Sequence, residues 1–165
     1  MVKKLSVFVG FALILSLLLI GSRAALAGES PIKGGGNFGL GLELGDPGNW
    51  GAVGKLWVDR QNAFQPAIKL GNGQALLQLD YLWHDYDIFH PNKGLLPLYF
   101  GAGGNLWLQN TVAVGARGVV GISYMFNEEK VPVDIYVQIV PEIWFYTGGV
   151  SRFFLYGDVG ARYYF

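Results

Sequence analysis

The chain has 165 residues, twelve of them basic and twelve acidic for a formal net charge of zero, and it contains no cysteine. Disulfides and thiolate metal sites are therefore excluded, and the basic footprint of a nucleic-acid binder is missing. Its composition, 52% hydrophobic and 15% aromatic with only 15% charged residues and 25 glycines, is oilier than that of a soluble domain.

Lys3 and Lys4 precede an apolar run from Val7 to Ile20 that ends near Ala25-Leu26-Ala27, the small-x-small pattern of a secretory cleavage site. Residues 1–27 are expected to be a signal peptide cleaved after Ala27, with Ala25 and Ala27 as the small recognition residues. The alternative is a retained membrane anchor, but a spanning helix needs roughly 20 apolar residues and this run is shorter. In a Gram-negative cell the mature chain would enter the periplasm. Residues 28–36 read as a short, flexible, Gly-rich leader, and 37–165 as one folded domain.

From there the recurring signal has period two, and no segment carries a sustained apolar stripe at helical spacing. In Phe38 to Leu44, Phe38, Leu40, Leu42 and Leu44 share a face opposite Gly39, Gly41 and Glu43. Leu56 and Val58 oppose Lys55 and Trp57; Phe64, Ile68 and Leu70 oppose Gln65, Ala67 and Lys69. Leu77, Leu79, Tyr81 and Trp83 oppose Gln78, Asp80 and His84. Leu98, Phe100, Ala102 and Leu106 oppose Tyr99, Gly101, Gly103 and Asn105. The longest run, Val112 to Phe126, sets valines, Ile122 and Tyr124 against Gly115, Arg117, Gly121 and Ser123. Val133, Ile135, Val137 and Ile139 oppose Asp134, Tyr136 and Gln138. The last strand sets Phe153, Leu155, Val159, Ala161, Tyr163 and Phe165 against Arg152, Asp158, Gly160, Arg162 and Tyr164.

Two architectures bury such faces: a soluble barrel or sandwich with oil inside, or a membrane barrel with oil outside. The second face decides between them. It is crowded with glycines (Gly39, Gly41, Gly54 or its neighbours, Gly101, Gly103, Gly115, Gly121, Gly160), and small residues suit the narrow interior of a small closed barrel. The expected fold is all-β, an eight-stranded antiparallel up-and-down transmembrane barrel, with ten shorter strands as the alternative. Closure satisfies the backbone groups between strands, the condition for entering lipid without an edge.

With the amino terminus on the periplasmic side, one aromatic belt would hold Phe38, Phe64, Tyr81, Trp83, Tyr124, Phe126, Tyr163 and Phe165. The opposite rim would hold Trp50, Trp107, Trp144, Phe145, Tyr146 and Phe153. Outer loops are expected around Asp46 to Trp50, Gly71 to Gln74, Leu108 to Thr111 and Trp144 to Ser151. Pro66 and Pro97 each remove a ladder donor, which predicts bulges or later strand starts there. The connection from His84 to Gly94 is long for a periplasmic turn.

The last eight residues, DVGARYYF, hold Asp158, Gly160, Tyr163 and Phe165 in the order polar, any, glycine, any, any, aromatic, any, aromatic. This resembles the carboxy-terminal assembly signal of bacterial outer-membrane barrels, and the resemblance implies recognition by the barrel assembly machinery. Size and strand count resemble the small eight-stranded outer-membrane barrels as a class. The stretches DYLWHDYD, LPLYFGAGG and GARYYF are similar to a family of bacterial outer-membrane barrel proteins of unknown function. That family lends no activity, cofactor or site residue.

Candidate chemistry is sparse. His84, Asp85, Asp87 and His90 lie within one short stretch and supply enough ligand types for a divalent metal, although an irregular turn at a membrane rim carries the same residues. An acyl-transfer site needs a nucleophile beside a base; Ser30 lies in the leader, Ser123 is expected to face the interior near the periplasmic end, and Ser151, near the outer rim, is expected to have neither histidine beside it. Gly34, Gly36 and Gly39 satisfy GxGxxG without the flanking strand and helix that a nucleotide site needs. The inward charges Glu43, Asp80, Asp134 and Asp158 balance Lys55, Lys69, Arg117 and Arg162, which predicts a self-neutralising polar plug; a selective pore would want one sign in excess. The expected role is structural or envelope-associated, without a catalytic centre or cofactor, the partners being outer-membrane lipids and the assembly machinery and not nucleic acid. A ligand-binding barrel holding a lipid or apolar molecule against Trp57, Tyr99 and Tyr136 is the second class, and a soluble periplasmic carrier the third. Oligomeric state is left open.

Overall fold

Strands with one apolar face leave two rows of unpaired backbone groups at their outermost members, and curling the sheet until those members meet removes both. The computed structural model describes residues 30–45, 49–71, 74–108, 112–126, 131–146 and 151–165. Among them are eight strands: β1 (Phe38–Gly45), β2 (Asn49–Trp57), β3 (Asn62–Gly71), β4 (Gln74–Asp85), β5 (Leu98–Leu108), β6 (Val112–Met125), β7 (Val133–Phe145) and β8 (Ser151–Tyr164). Each pairs antiparallel with the next and β8 returns to β1, giving a closed barrel. The signal-peptide assignment, with Ala25 and Ala27, and parts of all four expected outer loops lie outside the described residues. We call the end at which β1 starts and β8 finishes the termini end, and the other the far end.

The polarity of this barrel is inverted relative to a water-soluble one. Leu42, Leu155 and Phe153 are 64%, 64% and 65% exposed, whereas Glu43 and Asp158 on the alternate positions are 1% exposed. The pleat sends neighbours to opposite faces, so one local rule places the exposed apolar side chains outside and the buried strand charges inside. At the termini end the outward rings contact one another: Phe64 with Tyr81 at 5.0 Å, Tyr81 with Trp83 at 4.8 Å, Tyr124 with Phe126 at 4.9 Å and Tyr163 with Phe165 at 5.1 Å.

At the far end the expected belt is corrected in two members. Trp144 is buried inside and Trp107 packs edge-on against it at 5.6 Å, while Trp50, Phe145, Tyr146 and Phe153 stay exposed. For Trp144 the reason is that β7 does not stop near Ile139 but runs through Pro141 to Phe145, keeping the inward parity of Asp134, Tyr136 and Gln138; Trp107 has the parity of Gly103 and Asn105 on β5.

Of the two prolines, Pro97 behaves as expected and Pro66 does not. β5 starts just after Pro97, a later strand start, whereas Pro66 sits mid-strand without a bulge, its register continuous with β4 through Leu79. Its missing donor faces β2, where the ladder skips Gly54 and Lys55 and resumes in the same register. Pro141 repeats the device: it stays paired with Leu155 on β8, and the β6 ladder skips Gly118 and Val119. Each ring lies over the glycine opposite, since a Cβ on Gly54 or Gly118 would meet the Pro66 or Pro141 ring at 3.2 or 3.3 Å. Gly54 therefore faces outward, and of the position read as Gly54 or its neighbours it is Val53 and Lys55 that face inward.

The inward glycines are matched to large side chains across the ladder. Tyr99 pairs with Gly121, Tyr136 with Gly160, Tyr164 with Gly39 and Trp144 with Gly115. Cβ atoms on Gly121 and Gly160 would meet the tyrosine rings at 2.5 Å. Placing an aromatic over a cross-strand glycine fills the gap that the absent side chain leaves. Gly121→Ala is therefore expected to destabilise the barrel by about 1–3 kcal/mol, the usual range for overpacking. Urea unfolding should show the loss, and trimming the ring in Gly121→Ala/Tyr99→Leu should recover part of it; a single variant as stable as the parent would contradict this packing.

Candidate functional site

All eight charged positions named from the sequence are buried in the interior: Glu43, Lys55, Lys69, Asp80, Arg117, Asp134, Asp158 and Arg162. A ninth, Glu142, joins them at 1% exposure. It has the parity of Asp134 on the same strand, a signal hidden by the proline before it. Among the described residues the interior thus holds five carboxylates against four cations, rather than the even balance read from the sequence.

The charges form two groups. Near the termini end, Arg162 forks onto Asp134, Nε donating to Oδ1 at 2.9 Å and Nη2 to Oδ2 at 2.8 Å. The Tyr164 hydroxyl adds a third bond to Oδ2 at 2.9 Å, and the guanidinium lies over the Tyr136 ring at 4.1 Å. Such bidentate pairs are the strong form of an ionic hydrogen bond. Lys55 Nζ lies 4.0 Å from the same carboxylate and over the faces of Trp57 at 4.4 Å and Tyr99 at 5.3 Å.

Lys55 also donates to His84 Nε2 at 2.7 Å. The tautomer follows from a neighbouring turn. Asp59 Oδ1 accepts the backbone N–H groups of Gln61 and Asn62, both at 2.8 Å, which aims the Gln61 carbonyl at His84. His84 Nδ1 donates to that carbonyl at 2.9 Å, leaving Nε2 as the acceptor for Lys55. The Asn62 side-chain amide and then the Gln61 backbone N–H hold the exposed Asp59 carboxyl below the usual carboxylate range.

Towards the far end, Lys69 Nζ bridges Glu43 at 2.9 Å and Asp158 at 2.7 Å. Arg117 stands among three carboxylates, Asp158 at 3.3 Å, Asp80 at 3.4 Å and Glu142 at 3.6 Å. Gln65 and Gln138 join the two groups: Arg162 donates to Gln65, Gln65 to Gln138 at 3.4 Å, and Gln138 to Asp158 at 2.9 Å. Their inward parity was visible in the sequence, but not their linking role.

Apolar clusters cover both ends. Ile32 from the leader packs with Trp57, Ala63, Met125 and Tyr164 at the termini end, flanked by Tyr86 and Leu95. The long connection from His84 supplies those two flanking residues: Leu95 bridges Met125 by two backbone bonds, and Gly94 makes the approach at a φ of +72° that few other residues adopt. At the far end Leu76, Ala113 and Trp144 cluster with Trp107 and Phe154.

The structure does not bring the histidine-aspartate stretch together. His84 points inward to Lys55, while Asp87 and His90 are exposed and Asp85 accepts the Asp87 N–H at 2.9 Å. Among the described residues no group of three or more His, Cys, Asp or Glu is arranged to hold a metal ion. Ser123 is fully buried opposite Tyr136, and Ser151 opens β8 at the far end, a barrel length from both histidines. Trp57, Tyr99 and Tyr136 are buried with ring faces covered by Lys55 and Arg162.

Fold and interior together define a class: a small eight-stranded closed antiparallel barrel with an apolar exterior and an ionic core. No family model matches the chain, and no curated protein or solved structure matches it either.

Proposed function

We propose that the protein is an integral β-barrel of a bacterial outer membrane, made with a signal peptide over residues 1–27, with a structural or envelope-associated role, a plugged interior and no catalytic centre. The observation that carries this reading is the inverted polarity: a continuous exterior of exposed Leu, Val, Ile and Phe around a fully buried ionic network. In water such an exterior has no counterpart among monomeric soluble domains, whose exposed apolar patches are small. In lipid it is the required surface, and ring closure leaves no strand edge open. The partners of this role are outer-membrane lipids and, during biogenesis, the barrel assembly machinery. The pattern Asp158, Gly160, Tyr163 and Phe165 supports the latter, with Tyr163 and Phe165 facing outward and Asp158 inward on β8.

Cell fractionation with a heat-shift gel tests the location: the protein is expected in the detergent-extracted outer membrane, with a mobility that changes on boiling. Recovery in osmotic-shock fluid would instead make it a soluble carrier. Planar-bilayer recordings test the plug. The ionic core and its two apolar covers predict no uniform conductance steps, and reproducible steps from purified protein would make it a narrow pore.

A further inference from the structure

The two interior groups are unequal in charge. Near the termini end, Lys55 and Arg162 face the single carboxylate of Asp134. Towards the far end, among the described residues, Glu43, Asp80, Glu142 and Asp158 lie with the two cations Lys69 and Arg117. The far-end half therefore carries a surplus of two carboxylates in a buried setting, where uncompensated charge is costly.

A second observation falls in the same place. Gln78 is 5% exposed, faces the interior two residues from Asp80 on β4, and has neither amide atom bonded to a protein partner. Directly across the ladder, Asn105 spends its Oδ1 on Arg117 Nη1 at 3.4 Å and leaves Nδ2 without a protein partner. Asp80 Oδ1 accepts no hydrogen bond and has only the Arg117 Nε ion pair at 3.4 Å. Buried amides are ordinarily satisfied, and each one left otherwise costs desolvation energy. Carboxylate surplus and unspent amide oxygen thus converge beside Arg117.

We infer that the far-end half of the barrel binds a small monovalent cation, held by Asp80 and the Gln78 carbonyl oxygen beside Arg117 and favoured by the carboxylate surplus that includes Glu43, Glu142 and Asp158. Among the described residues no group of three or more His, Cys, Asp or Glu is arranged to hold a metal ion, so the site is assigned to a singly charged ion rather than a divalent one. The site does not depend on what surrounds the barrel. It makes the core selective for one sign of ion without making it a conducting path.

The test is urea unfolding of the detergent-folded full chain in sodium or potassium chloride against N-methylglucamine chloride at equal ionic strength. Equal ionic strength removes general screening, so any difference reports a specific site. Sodium or potassium should raise the folded-to-unfolded ratio about tenfold when present at about ten times the dissociation constant. Asp80→Asn should abolish the difference. Gln78→Leu is the second variant: it removes an unsatisfied amide, so it should be at least as stable as the parent in N-methylglucamine and lose the response to sodium and potassium. Equal midpoints in all three salts would overturn the site, as would a difference that survives in both variants or one produced by magnesium chloride alone. The heat-shift gel, run on the same samples, reports separately on the membrane reading.

Discussion

Arg162→Met is expected to be the most damaging single change in the interior, lowering unfolding free energy by about 3–5 kcal/mol, the range for breaking one side of a buried ion pair. The guanidinium makes both bonds of the fork to Asp134, donates to Gln65 and covers the Tyr136 ring. Methionine fills much of the volume but leaves Asp134 with the Tyr164 hydroxyl at 2.9 Å and the Lys55 ammonium at 4.0 Å. The double variant Asp134→Asn/Arg162→Met removes the stranded carboxylate along with its partner and leaves Lys55 with the His84 Nε2 contact at 2.7 Å, so it should regain part of the loss. Urea midpoints and the fraction of compact protein on an unboiled gel measure both. A loss below about 1 kcal/mol, or a double variant no better than the single one, would mean that the fork contributes little.

Ile139→Arg is expected to cost about 2–4 kcal/mol if the exterior meets hydrocarbon, as charged residues do at the midplane of membrane barrels. Ile139 is 57% exposed on β7, in register with Val120 on β6 and Gly157 on β8, with no interior contact to lose. The same change on a water-facing surface falls within about ±0.5 kcal/mol. The comparison therefore separates the two solvents that this polarity could face. Unfolding from vesicles should show the large cost, and Tyr163→Arg, nearer the rim, a smaller one because the penalty falls towards the interface. A neutral Ile139→Arg would remove the lipid-facing band from the account.

The two changes probe opposite faces of neighbouring strands, and the assignment of faces was legible from residue order alone. The eight charges read as inward are all buried, and Leu40, Leu42, Val137 and Leu155, read as oily, are all exposed. Legibility failed where a proline interrupted the pattern. Pro141 concealed the last residues of β7, and with them the inward positions of Glu142 and Trp144; Pro66 drew attention to a bulge that a one-sided gap in the ladder made unnecessary. Both cases turn on which neighbour the missing N–H faces, and that depends on pairing rather than on order along the chain.

The oily and polar faces were set by local chemistry, because side-chain alternation is a property of each extended segment by itself, whereas the choice between eight and ten strands came with the ladder. Register and closure were not local. They bring Lys69 to Asp158, Tyr136 to Glu43 and Arg162 to Gln65 across separations of 89, 93 and 97 residues. They also seat Tyr99, Tyr136, Tyr164 and Trp144 on cross-strand glycines and divide the buried charge into a far-end half rich in carboxylates and a termini-end half rich in cations. Composition supplies only the total of such charges; their neighbours come from the ladder, because a shift of one residue would turn every one of them outward.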